Sequence, residues 1–308
     1  MRYVSVIVAT YNRPHHLREC LTSILASLYP VHEVLVMDQS EGTETREVVA
    51  SFEDQRLQYF HVQPRGKSRS LNLALRASNG EILCFTDDDC VATPGWVQAV
   101  VEEFEADSRL TAVFGQTLPK LQAPDARIYA TFVSPLRRVF TRHRNPYDLG
   151  GAGGNMAYTR EAIARIGDFD EVLGPGAPFE AVEDNDYMYR AIKLGAKAVY
   201  SPKALVYHEQ RLDKWGVAQR LRVYRLGDGA FIAKCLLKLD PWPLAFYLKW
   251  QAGEIAKALL ARDLPYLKHC AKDFRLTLGG VAAYARWRSK GVLPASAGVA
   301  RMEKPNAF

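Results

Sequence analysis

The feature that most constrains the fold is an alternation of strand and helix patterns near the start of the chain. Four short stretches are apolar and β-branched, as in strands buried on both faces. They are residues 3–9, 33–37, 57–62 and 81–86. The segments between them carry apolar residues at helical spacing. This order predicts a largely parallel sheet with right-handed crossovers and helices on both faces.

Polar residues stand directly after three of these predicted strands. They are Thr10-Tyr11, Asp38-Gln39 and the triplet Asp87–Asp89. In open α/β sheets, ligands bind beyond the carboxyl ends of the strands, which lie together at one edge. The three positions therefore predict one shared binding site at this edge.

The triplet in FTDDDC (residues 85–90) places three mutually repelling carboxylates in sequence. One interpretation is an acidic turn that leads into a helix at Thr93-Pro94. The other is a site for a hard divalent cation, which prefers oxygen ligands and relieves the repulsion. The polar residues at the neighbouring strand ends favour the cation.

Residues 150–208 contain a second set of candidate site residues. The segment GGAGGN (150–155) predicts tight turns or a close approach of the backbone to a ligand. Helices are predicted over 160–166 and 183–194, and short strands over 197–200 and 204–207. In VEDNDY, the residues Glu183, Asp184 and Asp186 lie at a helix start, where carboxylates either cap the helix or do chemistry.

Charge is distributed unevenly along the 308 residues. The chain has a net charge of +6. Residues 211–308 contain 18 Lys and Arg against 7 Asp and Glu, a balance of +11, which leaves −5 for residues 1–210. Aromatic residues lie beside Lys or Arg at 240–250 and 282–290, which suits either an anionic membrane surface or a helical subdomain packed on the rest of the protein. No known nucleic-acid module is present, so nucleic acid is not an expected partner.

The cysteines and the N-terminus indicate where the protein works. Five widely spaced cysteines form no CxxC pair, which argues against a disulfide framework or a zinc site. The chain enters its first strand pattern without a signal peptide, and no uncharged run approaches the roughly 20 residues of a spanning helix. We expect a cytoplasmic protein, with contact at the inner face of the plasma membrane.

Several motifs together resemble the family-two nucleotide-sugar glycosyltransferases over residues 3 to about 210. These motifs are VSVIVATYNR (4–13), VMDQS (36–40), SRSLNLALRASNGEILCFTDDD (68–89), GGNMAYTREAIARIGDFDE (153–171), VEDNDYMYRAIKLGAKAVY (182–200) and VYH (206–208). They occur in the family's order and spacing, which is far more specific than one acidic triplet.

The resemblance implies a GT-A fold, in which a Rossmann-like sheet joins a smaller mixed sheet. It implies a catalytic domain over 1–210, with a nucleotide-binding half (1–90) and a donor-sugar and acceptor half (91–210). A basic, mostly helical region (211–308) follows. The implied activity is an inverting transfer from a UDP-, GDP- or dTDP-sugar to a glycan or lipid-linked acceptor, with Mg²⁺ or Mn²⁺ as cofactor.

The resemblance also implies roles for individual residues. Asp184 is the expected catalytic base, supported by Glu183 and Asp186, while Asp89 and His208 are the expected metal ligands. Tyr11 is expected to stack on the nucleobase and Asp88 to meet the ribose. The expected nucleotide-binding residues are Ala9, Thr10, Tyr11, Arg13, Asp38, Gln39, Arg69, Asn72, Asp87 and Asp88. The expected floor beneath the donor sugar is Gly153, Gly154 and Asn155.

Two features bear on the reaction. Many relatives have a carboxylate where this chain has Gln39, and an amide that both donates and accepts leaves the choice of base open. The QxxRW motif and spanning helices of processive synthases are absent from the sequence, so one sugar per encounter is expected.

Two other classes of protein share parts of this pattern. A non-catalytic nucleotide-sugar binding or scaffold protein would have no need of both Asp89 and Asp184. A nucleotidyltransferase would carry a glycine-rich phosphate loop after the first strand, where this chain has ATYNRPHH.

Overall fold

One mixed sheet organises the chain. The computed structural model describes residues 1–120, 133–141, 145–148, 153–209 and 214–291, with the backbone alone at residues 214 and 215. The strands are β1 (Val4–Thr10), β2 (Glu33–Asp38), β3 (Leu57–His61), β4 (Ile82–Asp87), β5 (Cys90–Ala92), β6 (Leu110–Pro119), β7 (Arg138–Phe140), β8 (Met156–Thr159) and β9 (Lys197–His208). The helices are α1 (Pro14–Leu25), α2 (Glu44–Ala50), α3 (Lys67–Ala77), α4 (Trp96–Ala106), α5 (Arg160–Ile166), α6 (Glu183–Lys193), α7 (Lys214–Leu237), α8 (Trp242–Leu260) and α9 (Leu264–Ser289).

The sheet has a parallel part and a mixed part. Its strand order is β3-β2-β1-β4-β8-β6-β9-β5, with β7 paired to β9. The first four strands are parallel and connected through α1, α2 and α3. Antiparallel pairs enter where β8 joins β4 and where β5 joins β9. The predicted α/β class, with a Rossmann-like parallel part and a C-terminal helical region, is confirmed.

Alternating side chains of the parallel strands feed two hydrophobic cores. Ile7 and Leu35 pack in the core that also contains residues of α3, α5 and α6. Val6 and Val34 pack in the other core, with residues of α1 and α4. Because successive side chains of a strand point to opposite faces, a strand covered on both sides must be apolar throughout. This explains the continuous apolar runs in the sequence.

Two predicted elements differ from the structure. The strands expected at 197–200 and 204–207 are one continuous strand, β9, whose pairing with β6 is irregular between Gly115 and Gln116. The register shifts from Ser201 to Leu205 of β9, which is the interval that the sequence predicted to separate two strands. The helical spacing continued to Leu28, but α1 ends at Leu25. Leu28 is 72% exposed, and its N–H donates to the Pro94 carbonyl at 2.8 Å instead of continuing the helix.

The C-terminal helices pack on one another and on the sheet domain. Phe231 of α7 and Tyr284 of α9 belong to the same core as the strands, and Tyr284 and Trp287 contact Phe179. Part of the predicted basic region, residues 211–213 and 292–308, lies outside the described residues. Within the described ranges, no helix has the length and apolar character needed to cross a membrane.

Candidate active site

The carboxyl ends of β1, β2 and β4 meet at one edge of the sheet. Strand β1 lies between the other two, with Thr10 paired to Asp38 and Ala9 paired to Asp87. Beyond this edge lies an open cavity of about 240 Å³. The polar strand ends therefore lie together, as the parallel order of the strands predicts.

Many of the predicted site residues line this cavity, although they come from distant segments. The predicted residues in its lining are Ala9, Thr10, Tyr11, Arg13, Gln39, Asp87, Asp88, Asp89, Gly153, Gly154, Glu183, Asp184 and His208. Residues 150–152 of the predicted glycine-rich segment lie outside the described residues. The structure thus brings the triplet and the VEDNDY cluster to one place.

Two predicted site residues lie behind the cavity and hold its walls together. Asp38 is buried and accepts hydrogen bonds from the Tyr59 hydroxyl and the Ser40 N–H, each at 2.8 Å. Asn155 is buried too, and its side chain accepts a hydrogen bond from the Trp96 indole at 2.8 Å. Neither side chain lines the cavity, because each is used to join elements of the fold.

Three more predicted residues are engaged in other contacts. Arg69 and Asn72 of α3 both donate to the carboxylate of Glu171, at 3.0 and 3.3 Å. Asp186 lies 2.6 Å from the ammonium of Lys234 on α7. These side chains fix α3 and α6 against neighbouring segments, and the structure does not bring them into the cavity lining.

Lys67 links the two acidic clusters across the cavity. Its ammonium lies 2.6 Å from the Asp87 carboxylate and 3.2 Å from that of Glu183. Burial lowers the pKa of Lys67, but the charges of Asp87 and Glu183 outweigh it and raise the pKa well above its ordinary value. The ammonium therefore stays charged where β4 ends and α6 begins.

Asp88 and Asp89 both contact Arg13, but the pKa of Asp88 is raised whereas that of Asp89 is lowered. Asp88 accepts from the Thr10 hydroxyl at 2.7 Å, and the Arg13 guanidinium lies 3.2 Å from Asp88 and 2.9 Å from Asp89. Burial and the charge of Asp89 raise the pKa of Asp88 to about 6, although Arg13 opposes them. Burial also raises the pKa of Asp89, but His208 and then Arg13 outweigh it and lower the pKa to about 2.

Strand pairing carries His208 to the triplet. In the antiparallel pair of β5 and β9, His208 stands opposite Cys90, and its Nε2 lies 3.2 Å from an Asp89 carboxylate oxygen. Burial lowers the pKa of His208, but the hydrogen bond and charge of Asp89 raise it above its ordinary value. The Nδ1 atom is buried without a hydrogen-bond partner among the described residues.

The second acidic cluster begins α6 in a strained backbone conformation. Val182, just before the helix, has a left-handed φ of 65°, which is rare for a β-branched residue. Asp184 then accepts hydrogen bonds from the N–H groups of Gly153 and Asn185, each at 2.8 Å. Burial raises the pKa of Glu183 to about 7, with Lys67 opposing this shift and Asp184 adding to it.

Two glycines fill the space between the clusters with bare backbone. A Cβ at Gly153 would lie 2.7 Å from the Asp184 carboxylate, and a Cβ at Gly154 would lie 2.9 Å from that of Asp87. Such distances are too short for a side chain, so glycine is required for this approach. The segment therefore contacts both acidic clusters.

Comparison with known proteins places the chain in a family. Residues 5–167, more than half of the chain, match the family Glycosyl transferase family 2. The chain belongs to this family. It is therefore a glycosyltransferase, and its cavity lies at the sheet edge where β1, β2 and β4 end in polar residues.

Curated relatives of this glycosyltransferase carry related names. The glucosyl-dolichyl phosphate glucuronosyltransferase of Haloferax volcanii is 27% identical over 67% of this chain and 69% of its own length. The pre-mycofactocin glycosyltransferase of Mycobacterium tuberculosis is 26% identical over 93% of this chain and 62% of its own length. Glycosyltransferase AglE of Haloferax volcanii is 30% identical over 31% of this chain, a match that spans 33% of AglE.

Solved structures share the fold of this glycosyltransferase. The mannosyltransferase PcManGT of Pyrobaculum calidifontis, in complex with GDP-Man and Mn²⁺, is similar at a TM-score of 0.63 and 21% identity, over 92% of this chain and 87% of that one. TarS 1-349 of S. aureus, in complex with UDP-GlcNAc, is similar at a TM-score of 0.55 and 15% identity, over 92% of this chain and 83% of that one. At these identities the likeness establishes the fold.

The cavity contains side chains that could hold a divalent cation. Asp89, Cys90 and His208 offer ligand atoms that all lie within 4.8 Å of one another. A carboxylate with an imidazole suits Mn²⁺, whereas Mg²⁺ prefers oxygen alone. The buried Nδ1 of His208 without a partner is a further polar atom that a ligand could satisfy. The donor set therefore fits a metal beside Asp89.

Some residues of the cavity were not predicted from the sequence. Arg65 and Lys67 follow β3, so the rule that ligands bind at the carboxyl ends of strands was a usable signal for both. The Arg65 guanidinium lies 4.0 Å from the centre of the Tyr11 ring. Arg220 and Tyr224 reach the cavity from α7. No local pattern marks them, because the packing of a distant helix brings them there.

Proposed function

We propose that this glycosyltransferase transfers one sugar, with inversion, from a nucleotide-sugar donor to an acceptor hydroxyl, with the help of Mg²⁺ or Mn²⁺. The observation that carries the proposal is the meeting of two acidic clusters in one cavity, with Lys67 between Asp87 and Glu183. The cluster Asp87–Asp89 is suited to a metal that binds the leaving diphosphate, and the cluster of Glu183 and Asp184 is suited to the acceptor.

The nucleotide is proposed to bind at the ends of β1 and β2. Tyr11 offers a ring for stacking, and its contact with Arg65 shows that the ring face accepts a flat cationic group. The Gln39 amide donates to the Gly66 carbonyl at 3.1 Å and retains a second N–H and a carbonyl oxygen for a base edge. Asp88 is the proposed partner of the ribose.

The diphosphate is proposed to lie beside Asp89 and His208, which would hold the metal. When bound, the cation stabilises the negative charge that develops on the leaving group. Arg13 and Lys67 add fixed positive charge to the same part of the cavity. Gly153 and Gly154 are the proposed floor for the sugar, since both line the cavity and have no side chain to extend into it.

Asp184 is the proposed base for the acceptor hydroxyl. Inversion needs one carboxylate on the far side of the sugar and no covalent intermediate. The N–H groups of Gly153 and Asn185 orient the Asp184 carboxylate, and the residue lines the cavity. Glu183 is committed to Lys67, which makes it a supporting residue in this proposal.

The role of Asp184 is tested by Asp184→Asn. The amide is nearly the same size but accepts no proton, so we expect transfer to fall by about 10²–10⁴-fold while donor affinity stays within a few-fold. Single-turnover transfer and calorimetry of donor binding measure the two quantities separately. Asp168→Asn, at an exposed carboxylate outside the cavity lining, is the control. Near-normal turnover of Asp184→Asn would move the role to Glu183, the other carboxylate of this cluster in the cavity lining.

The metal and the nucleotide are tested together by thermal shift. UDP-, GDP- and dTDP-sugars with Mn²⁺ are compared for the natural protein and for Asp89→Ala. Ligand binding to the native state raises the Tm by mass action, so we expect one nucleotide class to stabilise the natural protein and to lose this effect in Asp89→Ala. Equal stabilisation of both proteins would contradict a metal role for Asp89. A flat response of the natural protein would favour a non-catalytic scaffold.

The acceptor is proposed to be a glycan or a lipid-linked sugar of surface polysaccharide or glycolipid synthesis. A relative over two thirds of the chain is named for a dolichyl phosphate-linked acceptor, which motivates the lipid-linked class. We propose that residues 1–210 carry the catalytic residues of this activity in the cytoplasm, and that residues 211–308 form a helical region whose α7 also lines the cavity.

A further inference from the structure

Helix α8 has an apolar solvent face, the reverse of an ordinary surface helix. Its inner side is formed by Pro243, Tyr247, Gln251 and Ala258, which are buried. At 100° per residue, the opposite side is lined by apolar residues with two lysines among them. The exposed residues of this side are Trp242, Ala245, Leu248, Lys249, Ala252, Gly253, Ala256, Lys257, Leu259 and Leu260.

Exposed leucines extend the apolar face at both ends of α8. Before the helix, Leu237 is 64% and Leu239 is 92% exposed, and Leu239 has a left-handed φ of 58°. At the other end, Leu260, the last residue of the helix, is 86% exposed, and Leu264, beyond it, is 63% exposed. Nineteen residues of helix separate the two turns by about 28 Å. An exposed apolar surface of this extent on a folded protein indicates a binding surface.

The charges around this face are cationic. Lys249 and Lys257 are exposed on it, and Lys238 and Arg262 are exposed in the two turns. The carboxylate of α8, Glu254, lies outside the apolar face, where it accepts a hydrogen bond from the Lys257 ammonium at 2.7 Å and contacts the Tyr266 hydroxyl of α9. Lys249, Lys238 and Arg262 are therefore the cations of this surface that Glu254 does not neutralise. This distribution agrees with the balance of +11 over residues 211–308.

Asp263 is the acidic residue of the second turn. It is exposed, and its side chain accepts from the Tyr266 N–H at 2.9 Å, which caps α9. Its charge is therefore placed at the start of α9, where the helix dipole favours an anion.

We propose that the solvent face of α8 and the leucines of its two flanking turns dock on an anionic lipid surface. Leucine and tryptophan side chains enter the interface, while lysines extend their ammonium groups to the headgroups. Because both ends of α8 expose leucines, the helix lies flat on the surface. Each nearby cation adds to the attraction of anionic lipid.

A second copy of the chain is a poorer occupant of this face. In a two-fold dimer the same patch covers itself, so Lys249 and Lys257 of one copy would approach those of the other. Desolvating like charges opposes such a contact, whereas anionic headgroups neutralise them. The distribution of charge on this face therefore favours an anionic lipid surface over a second copy of the chain.

The proposal is tested by co-flotation of the full chain with vesicles, without donor or acceptor. We expect binding to vesicles of phosphatidylcholine mixed with phosphatidylglycerol, and little binding to phosphatidylcholine alone. Leu239→Glu combined with Leu260→Glu should lower the partition coefficient on the mixed vesicles by about tenfold or more, because two apolar anchors become anions. Leu28→Glu, at a leucine that is 72% exposed and distant in sequence, should bind as the natural protein does.

Other outcomes would overturn the proposal. These are no binding of the natural protein to the mixed vesicles, equal binding to neutral vesicles, or unchanged binding of the double variant. A dimer detected by light scattering that the double variant abolishes, without vesicle binding, would assign the face to a second copy. Since flotation needs no turnover, its result is independent of the transfer tests above.

Discussion

At the residue scale, the acidic triplet is held together by cations from distant parts of the chain. Lys67 contacts Asp87, and Arg13 contacts both Asp88 and Asp89. These contacts offset the repulsion that three adjacent carboxylates create. The charge pattern of the cavity therefore depends on residues that no single motif contains.

Glu33, a buried carboxylate outside the cavity lining, provides a test of stability at acid pH. Glu33 of β2 accepts hydrogen bonds from the Ser5 hydroxyl at 2.6 Å, the Asn79 N–H at 2.5 Å and the Gln58 amide at 2.8 Å. Burial raises its pKa, but the hydrogen bonds from Asn79 and Ser5 outweigh this and lower it below the ordinary value of 4.5. A carboxylate whose pKa is lowered by folding stabilises the folded state at pH values above its ordinary pKa. This stabilisation is lost as the pH falls through the lower pKa of the folded state.

We therefore expect Glu33→Gln to lower the free energy of unfolding by about 1–3 kcal/mol at neutral pH. The difference from the natural protein should shrink as the pH falls below the ordinary pKa of 4.5 and through the lower pKa of the folded state, where the natural carboxylate becomes protonated too. Urea unfolding at several pH values measures both effects, with Glu105→Gln on the exposed side of α4 as the control. A difference that does not change with pH would show that Glu33 stabilises by packing alone.

At the element scale, α7 and α9 cross at a contact between glycines. A Cβ at Gly280 would meet the backbone carbonyl of Leu226, and one at Gly229 would meet that of Thr277. Backbone atoms yield less than side chains, so the two helices approach this closely only because both positions are glycine. The crossing sets where α7 lies, and α7 carries Arg220 to the cavity.

Gly280→Ala should therefore destabilise the protein by about 1–3 kcal/mol, through separation of the two helices. Gly253→Ala in α8 is the matched control, since a Cβ there meets nothing within 4 Å. This control should stabilise the helix by about 0.5–1 kcal/mol. Urea unfolding of the two variants measures the change in the free energy of unfolding, which should have opposite signs. Equal stability of both variants would contradict the close crossing of α7 and α9.

At the scale of the whole molecule, the two surfaces proposed to bind ligands differ in chemistry. The cavity at the sheet edge combines carboxylates with lysine and arginine side chains, whereas the solvent face of α8 combines leucines with exposed lysines. Helix α7 connects them, because it lines the cavity with Arg220 and Tyr224 and ends beside Leu239. A lipid-bound α8 would thus hold the cavity at a limited distance from a lipid-linked acceptor.

The sequence by itself determined the order of elements and the position of the cavity. Apolar runs and helical spacing are local patterns, and the carboxyl ends of parallel strands must share one edge. Thr10 and Asp87 were therefore predicted at this edge, whereas Asp184 was predicted as a site residue from the family resemblance. Gly153 and Gly154 were also predicted, because a run of glycines marks a close approach of the backbone.

Only the tertiary structure decided which distant groups touch. The register of β5 against β9 places His208 beside Asp89, and helix packing brings Arg220 to the cavity. It also turned Asn155 and Asp186 away from the cavity and left the apolar face of α8 exposed. Such contacts depend on pairing and packing between segments far apart in sequence, which local patterns do not encode.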